Sequence, residues 1–142
     1  MIYTELTKKA FIIANDAHRD QVDKAGLPYV FHPFHLAEEM NDEYSTCVAL
    51  LHDVVEDSSY TIEDLMKVGF PPQVIEASQV LTHSKDVPYF EYVKMVKQNV
   101  LATKVKIADL KHNSDLTRLD KISEEDIKRI EKYKEALRLL EE

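Results

Sequence analysis

One cysteine, two glycines and no tryptophan occur in the 142 residues. A lone Cys47 excludes an internal disulfide and reads as a small buried apolar residue. Two glycines and five prolines supply too little turn chemistry for an all-β sandwich or barrel, and they exclude collagen-like or low-complexity chains. No apolar run is long enough to span a bilayer, and no secretory leader is visible, so a reducing cytoplasm is the expected compartment. A basic excess is missing as well. Lys and Arg number 18 against 26 Asp and Glu, a net charge of −8. That field opposes nucleic-acid binding and docking on anionic membranes. It leaves open a small anionic substrate, because a bound metal ion reverses the local sign.

What is present is helical. Hydrophobic residues make up 44% and charged residues 31%, as in an ordinary globular protein. The length predicts one domain over residues 1–142 with a real core. Leu6, Ala10, Ile13, Ala14 and Ala17 recur at helical spacing between about Thr4 and Asp20. A turn follows at 23–28, and Pro33 opens a short helix to Met40. Cys47, Leu50, Leu51 and Val54 stripe a helix expected from about Glu43 to Glu56. Thr61 with Asp64 forms a capping-box signature for a helix ending near Gly69. Pro71-Pro72 opens a helix toward Leu81, and Pro88 opens another through Val96. A long helix is expected from Leu101 to Leu119, and Ser123 with Asp126 caps the last. The expectation is an all-α bundle of seven to eight helices.

Polar residues interrupt this pattern in three places. In Leu50-Leu51-His52-Asp53-Val54-Val55-Glu56-Asp57, four polar groups are interleaved with bulky aliphatics. On a continuous helix, His52 and Glu56 would be one turn apart, and so would Asp53 and Asp57. Neighbouring carboxylates in so apolar a run repel one another, and a multivalent cation holds them ionised together. His32 lies between aromatic and apolar neighbours, and Asp109 occupies an apolar stretch on a face shared with His112 and Asn113. Imidazoles and carboxylates from three segments suit manganese, iron, cobalt, nickel or zinc better than magnesium or calcium.

The ordered set His32, His52-Asp53, Asp109 resembles the HD superfamily of metal-dependent phosphohydrolases. The stretch Ala17-His18…Gln21…Gly26-Leu27-Pro28-Tyr29-Val30-Phe31-His32-Pro33 resembles the opening of the Rel/SpoT-type guanosine tetraphosphate hydrolase domain. Ala49 to Asp57 with Thr61 to Leu65 resembles its central motif, and Lys106-Ile107-Ala108-Asp109 with His112-Asn113 its last metal motif. The resemblance implies His32, His52, Asp53 and Asp109 as ligands of a divalent metal, with manganese the usual ion. It implies Glu56 and Asp57 as the pair that handles the attacking water, and Lys24 and Asn113 as nucleotide contacts. The implied reaction removes the 3′-pyrophosphate of guanosine tetra- or pentaphosphate, in a chain that resembles the small stand-alone hydrolases.

The departures fall on the substrate side. Asp23 stands where the family has an arginine that packs on guanine, Ala25 where it has a serine, and Leu110 and Asp115 where it has two more arginines. Lys104, Lys106, Lys111 and Arg118 are the candidates to compensate. The alternatives are a hydrolase of a different nucleotide (a nucleotidase or pyrophosphatase) or a non-catalytic nucleotide sensor. Among the other polar residues, His18 reads as a helix-end histidine bonded locally, with a substrate contact as the alternative, and His83 as loop surface. His35 and His112 read first as ordinary polar residues, with support of a ligand three residues away as the alternative. Tyr89, Phe90 and Tyr92 read as core, with the lining of a pocket as the alternative. The final helix reads as a solvated face packed on one side, with a partner surface as the alternative.

Overall fold

The computed structural model describes residues 1–142. Its helices are α1 (Glu5–Ala17), α2 (Phe31–Glu38), α3 (Glu43–Leu51), α4 (Val54–Asp57), α5 (Ile62–Val68), α6 (Pro72–Leu81), α7 (Tyr89–Lys97), α8 (Val100–Asn113) and α9 (Glu124–Glu141), with a 3-10 turn at Leu116–Arg118. Eight of these exceed a single turn, and α4 is one turn only. The one element of β pairing is an isolated bridge between Val22 and Pro28, inside the loop that joins α1 to α2. The all-α expectation holds.

Local chemistry explains the helix starts. The side chains of Thr4, Asp42, Thr61, Asn99 and Ser123 each accept a backbone N–H from the first turn of α1, α3, α5, α8 and α9. Such caps satisfy amides that no helical carbonyl can reach. Gly69 ends α5 at φ 100°, a left-handed backbone that suits glycine.

The core forms around α3. Ser45, Thr46, Cys47, Val48, Ala49, Leu50 and Leu51 are all buried, so this helix is enclosed on every side. It packs against α1, α2, α6 and α8. Each fully buried leucine, such as Leu36, Leu50 or Leu65, contributes about 1.5–3 kcal/mol by leaving water. α9 closes the bundle against α7 and α8.

Two expected helices are shorter than their periodicity implied. The Glu43–Glu56 segment breaks at His52-Asp53 into α3 and α4. The His52 side chain supplies the reason: its Nδ1–H donates to the Ala49 carbonyl at 2.7 Å, competing with the backbone for a helical acceptor. The helix expected to reach Leu119 ends at Asn113, where Ser114 caps it and the chain turns toward the 3-10 segment. At the other end of α2, the helix begins at Phe31, two residues before Pro33. No helix is long and apolar enough to cross a membrane.

Candidate metal centre and cleft

His32 enters the bundle from the first turn of α2, where Pro33 fits without a donor N–H. His52 caps the C-terminus of α3. Asp109 lies on the inner face of α8, buried beside Ala108 and Leu110. These three converge: one donor atom from each lies within 4.8 Å of the others. His32 Nε2 is 2.8 Å from Asp109 Oδ1, and His52 Nε2 is 3.5 Å from the same oxygen. Asp53, in the break between α3 and α4, brings Oδ2 to 3.0 Å from His52 Nε2. The four residues expected as ligands therefore meet, with Asp53 at the side of the triad.

The donor set fits a divalent cation. His52 donates through Nδ1, so its Nε2 carries the lone pair in the neutral ring. That Nε2 is buried and has no hydrogen-bond partner, although two carboxylates stand beside it. In that neutral form the lone pair would face both carboxylates, an arrangement that calls for positive charge between them, from a proton on Nε2 or from a metal cation. Burial alone would depress the His52 pKa, yet the Asp53 and Asp109 carboxylates overcome it and hold it well above the ordinary value. Burial also opposes ionisation of Asp53, but His52 brings its pKa down to about 2. The centre thus favours a cation at its middle.

Further groups brace the cluster. Lys106 Nζ donates to Asp109 Oδ2 at 2.9 Å, and the Asn113 amide donates to Oδ1 at 2.9 Å. The Tyr29 hydroxyl donates to Asp53 Oδ2. His32 Nδ1 lies 2.6 Å from His112 Nδ1, so the two rings share one proton. Burial first, then His32 and Arg118, push the His112 pKa down to about 4, so His112 is neutral at about pH 7. His35 stacks on His112 with centroids 4.1 Å apart and pairs with Glu39. His112 thus takes the supporting position and His35 the next layer out.

The cluster forms the floor of a cavity of about 350 Å³. Glu56 and Asp57, both exposed at its rim, face it from α4. Glu56 Oε1 accepts the backbone N–H of His83 at 2.7 Å. Partial desolvation at the rim, then the charges of Asp53 and Glu56, raise the Asp57 pKa to about 6. A second cavity of about 360 Å³ adjoins the first and shares Tyr29, Asn113 and Tyr133 with it. Lys24 lines only this second arm, with Arg118 and Arg129, while Asn113 faces both. The expected nucleotide contacts and the expected catalytic acids thus occupy two arms of one cleft.

Several wall residues differ from their sequence reading. His83 is half-buried and stacks on Tyr92 at 4.4 Å, so it lines the first arm instead of standing on loop surface. Tyr92 is buried as expected, Phe90 is exposed and not core, and Tyr89 and Tyr92 face the cavity, as the alternative reading had it. α9 is not solely a solvated helix packed on one side: Arg129, Lys132 and Tyr133 reach the cleft. Lys132 Nζ stands 4.4 Å from the Tyr89 ring centre, a cation–π contact. Of the four candidate compensating cations, Arg118 lies in the second arm and Lys106 in the first, whereas Lys104 pairs with Asn41 and Asp42. Asp23 is explained locally. Its Oδ1 accepts the N–H groups of Ala25 and Leu27, and its Oδ2 accepts Arg118 at 3.0 Å.

No family model matches the chain. Among curated proteins, the bifunctional (p)ppGpp synthase/hydrolase SpoT of Escherichia coli K12 is 31% identical over 121 residues, 75% of this chain and 17% of that protein. A GTP pyrophosphokinase of Myxococcus xanthus is 32% identical over 144 aligned residues, 89% of this chain and 19% of that one. The chain spans less than a fifth of the length of these relatives. Among solved structures, one described as a metazoan ortholog of SpoT that hydrolyzes ppGpp and plays a role in starvation responses aligns with a TM-score of 0.77. It is 25% identical, and the match covers 96% of this chain and 85% of that one. The class is therefore an all-α HD-like fold with a His and carboxylate centre suited to a divalent cation. Within that class the chain belongs with the SpoT/Rel homologues.

Proposed function

We propose that residues 1–142 work as one HD phosphohydrolase-like domain that removes the 3′-pyrophosphate of guanosine tetra- or pentaphosphate. The observation that carries this reading is the convergence of His32, His52 and Asp109 beside a cavity rimmed by Glu56 and Asp57. The activities named for the E. coli relative and the metazoan SpoT ortholog support the substrate. His32, His52, Asp53 and Asp109 would hold the metal, with manganese the first choice and iron, cobalt, nickel or zinc the others. When bound, the ion lowers the pKa of water and offsets phosphate charge.

The protein's own groups supply the rest. Glu56 is anchored through one oxygen by the His83 amide, so its other oxygen orients water at a fixed position. Asp57, with its pKa near 6, accepts the proton that water gives up at neutral pH. Lys24, in the second arm, and Asn113, which faces both arms, would hold the nucleotide. The lone buried thiol suits a cytoplasmic setting.

The test is a nucleotide panel with added manganese. The expected products from guanosine tetraphosphate and one water are guanosine diphosphate and pyrophosphate, in equal amounts. Inertness toward guanosine tetraphosphate, with turnover of another nucleotide, would overturn the substrate assignment. Binding of nucleotide with no turnover of any would overturn the enzymatic one.

A further inference from the structure

Glu56 and Asp57 ride on α4, a helix of four residues. One turn of helix cannot hold itself in place, since nearly all its amides and carbonyls lie at an end. The position of the Asp57 carboxylate must therefore be set from outside α4.

The His83 amide holds the Glu56 side chain, and for Asp57 two side chains at and just past the end of α1 supply the restraint. The Gln21 Nε2 amide donates to the Asp57 backbone carbonyl at 2.8 Å, across 36 positions of sequence. Its Oε1 lies 2.8 Å from His18 Nδ1 and accepts that ring's proton. The same Nε2 reaches the Ala17 carbonyl at 3.4 Å, so both of its partners are acceptors and the amide has one consistent orientation. His18 is buried and stands 4.8 Å, centre to centre, from the Tyr29 ring, whose hydroxyl donates to Asp53. Asp53 is the residue that opens α4, and Asp57 is the one that ends it. The His18 imidazole thus braces both ends of the turn, one through Gln21 and the other through Tyr29.

We propose that Gln21, oriented by His18, is a positioning residue that fixes the Asp57 carboxylate relative to Asp53 for turnover. The proposal rests on the reading of Asp57 as a catalytic group. Gln21 touches only the backbone of Asp57, so its loss misplaces the carboxylate and leaves nucleotide contacts in the second arm untouched. The effect belongs in kcat, with KM and metal content preserved.

Gln21→Glu tests this with the same shape. The carboxylate still accepts the His18 proton but has no N–H for the Asp57 carbonyl. The expected result with guanosine tetraphosphate and manganese is a fall in kcat of about tenfold or more, KM within about twofold, and unchanged metal stoichiometry. His18→Asn, whose amide N–H can replace Nδ1–H, is expected to retain most of the turnover that His18→Ala loses. Turnover of Gln21→Glu within about twofold of the parent, or a loss shared by metal content and KM, overturns the proposal. Hydrogen exchange reads the same brace without turnover. Gln21→Ala is expected to speed exchange of the 54–60 amides about tenfold while α3 is unchanged, and unchanged protection there also overturns it. If the parent protein proves inert toward guanosine tetraphosphate, the substrate reading fails, and the exchange result still decides whether the brace exists.

Discussion

Asp109 and Lys106 cannot be separated cheaply. The carboxylate accepts Lys106 at 2.9 Å, and both side chains are largely buried. Burial alone would discharge Lys106, yet the Asp109 charge keeps its pKa well above the ordinary value. Asp109→Asn should therefore strip the metal and leave a buried cation unpaired. The expected cost is about 3–5 kcal/mol in urea unfolding, with no bound ion by elemental analysis. Asp57 has the opposite character. Its folded pKa of about 6 lies above the ordinary 3.8, so the fold favours its protonated form. The stability it contributes is complete below about pH 4 and is lost as the pH rises through about 6. In chelator-treated protein, Asp57→Asn should raise stability by about 1 kcal/mol near pH 7.5, after allowance for solvent screening at the rim, and change nothing near pH 4. Urea midpoints at the two pH values check it. Little of this pairing was visible in the string of residues. Lys106 sits three positions before Asp109, the spacing of helical neighbours, and that was its only signal.

Helices were readable where their ends carry their own chemistry. Thr61 with Asp64 and Ser123 with Asp126 form the capping boxes their spacing announced. Ser123→Ala should cost about 1 kcal/mol and fray the first turn of α9, as measured by thermal melting and exchange. The Ser123 amide, with Arg129 and the Ser123 hydroxyl, brings the Asp126 pKa down to about 2. Its contribution is therefore full above about pH 4 and disappears as the pH falls toward about 2. The break at His52-Asp53 was hidden because the apolar period runs through it from Leu50 and Leu51 to Val54. Only the third dimension places the His52 ring against the Ala49 carbonyl. The contributions of Lys132 and Tyr133 were hidden for a related reason. Amphipathic spacing assigns an inner face to α9 but not the neighbour that face meets, and here part of that neighbour is a cleft.

Across the molecule, the centre joins α2, α3 and α8, elements drawn from the first quarter to the last third of the chain. An ion that binds only the folded protein should stabilise it as a unit. At about a hundredfold excess over its dissociation constant, manganese should add about 2.7 kcal/mol, reversed by chelator and read as a rise in Tm of several degrees. That His32, His52, Asp53 and Asp109 lie together was readable from the family motifs the sequence resembles, whereas the partners of His32 and Asp53 (His112 and Tyr29) follow from packing between separate helices. Asp23 shows how far such ties extend. One carboxylate holds two loop amides and a guanidinium 95 positions away, so the acid at 23 and the base at 118 form a single structural unit. A lineage that swaps an arginine into position 23 must release Arg118 and rebuild the loop in the same step. The two sites should therefore drift together, and a chimera that exchanges only one of them should lose the shape of the second arm.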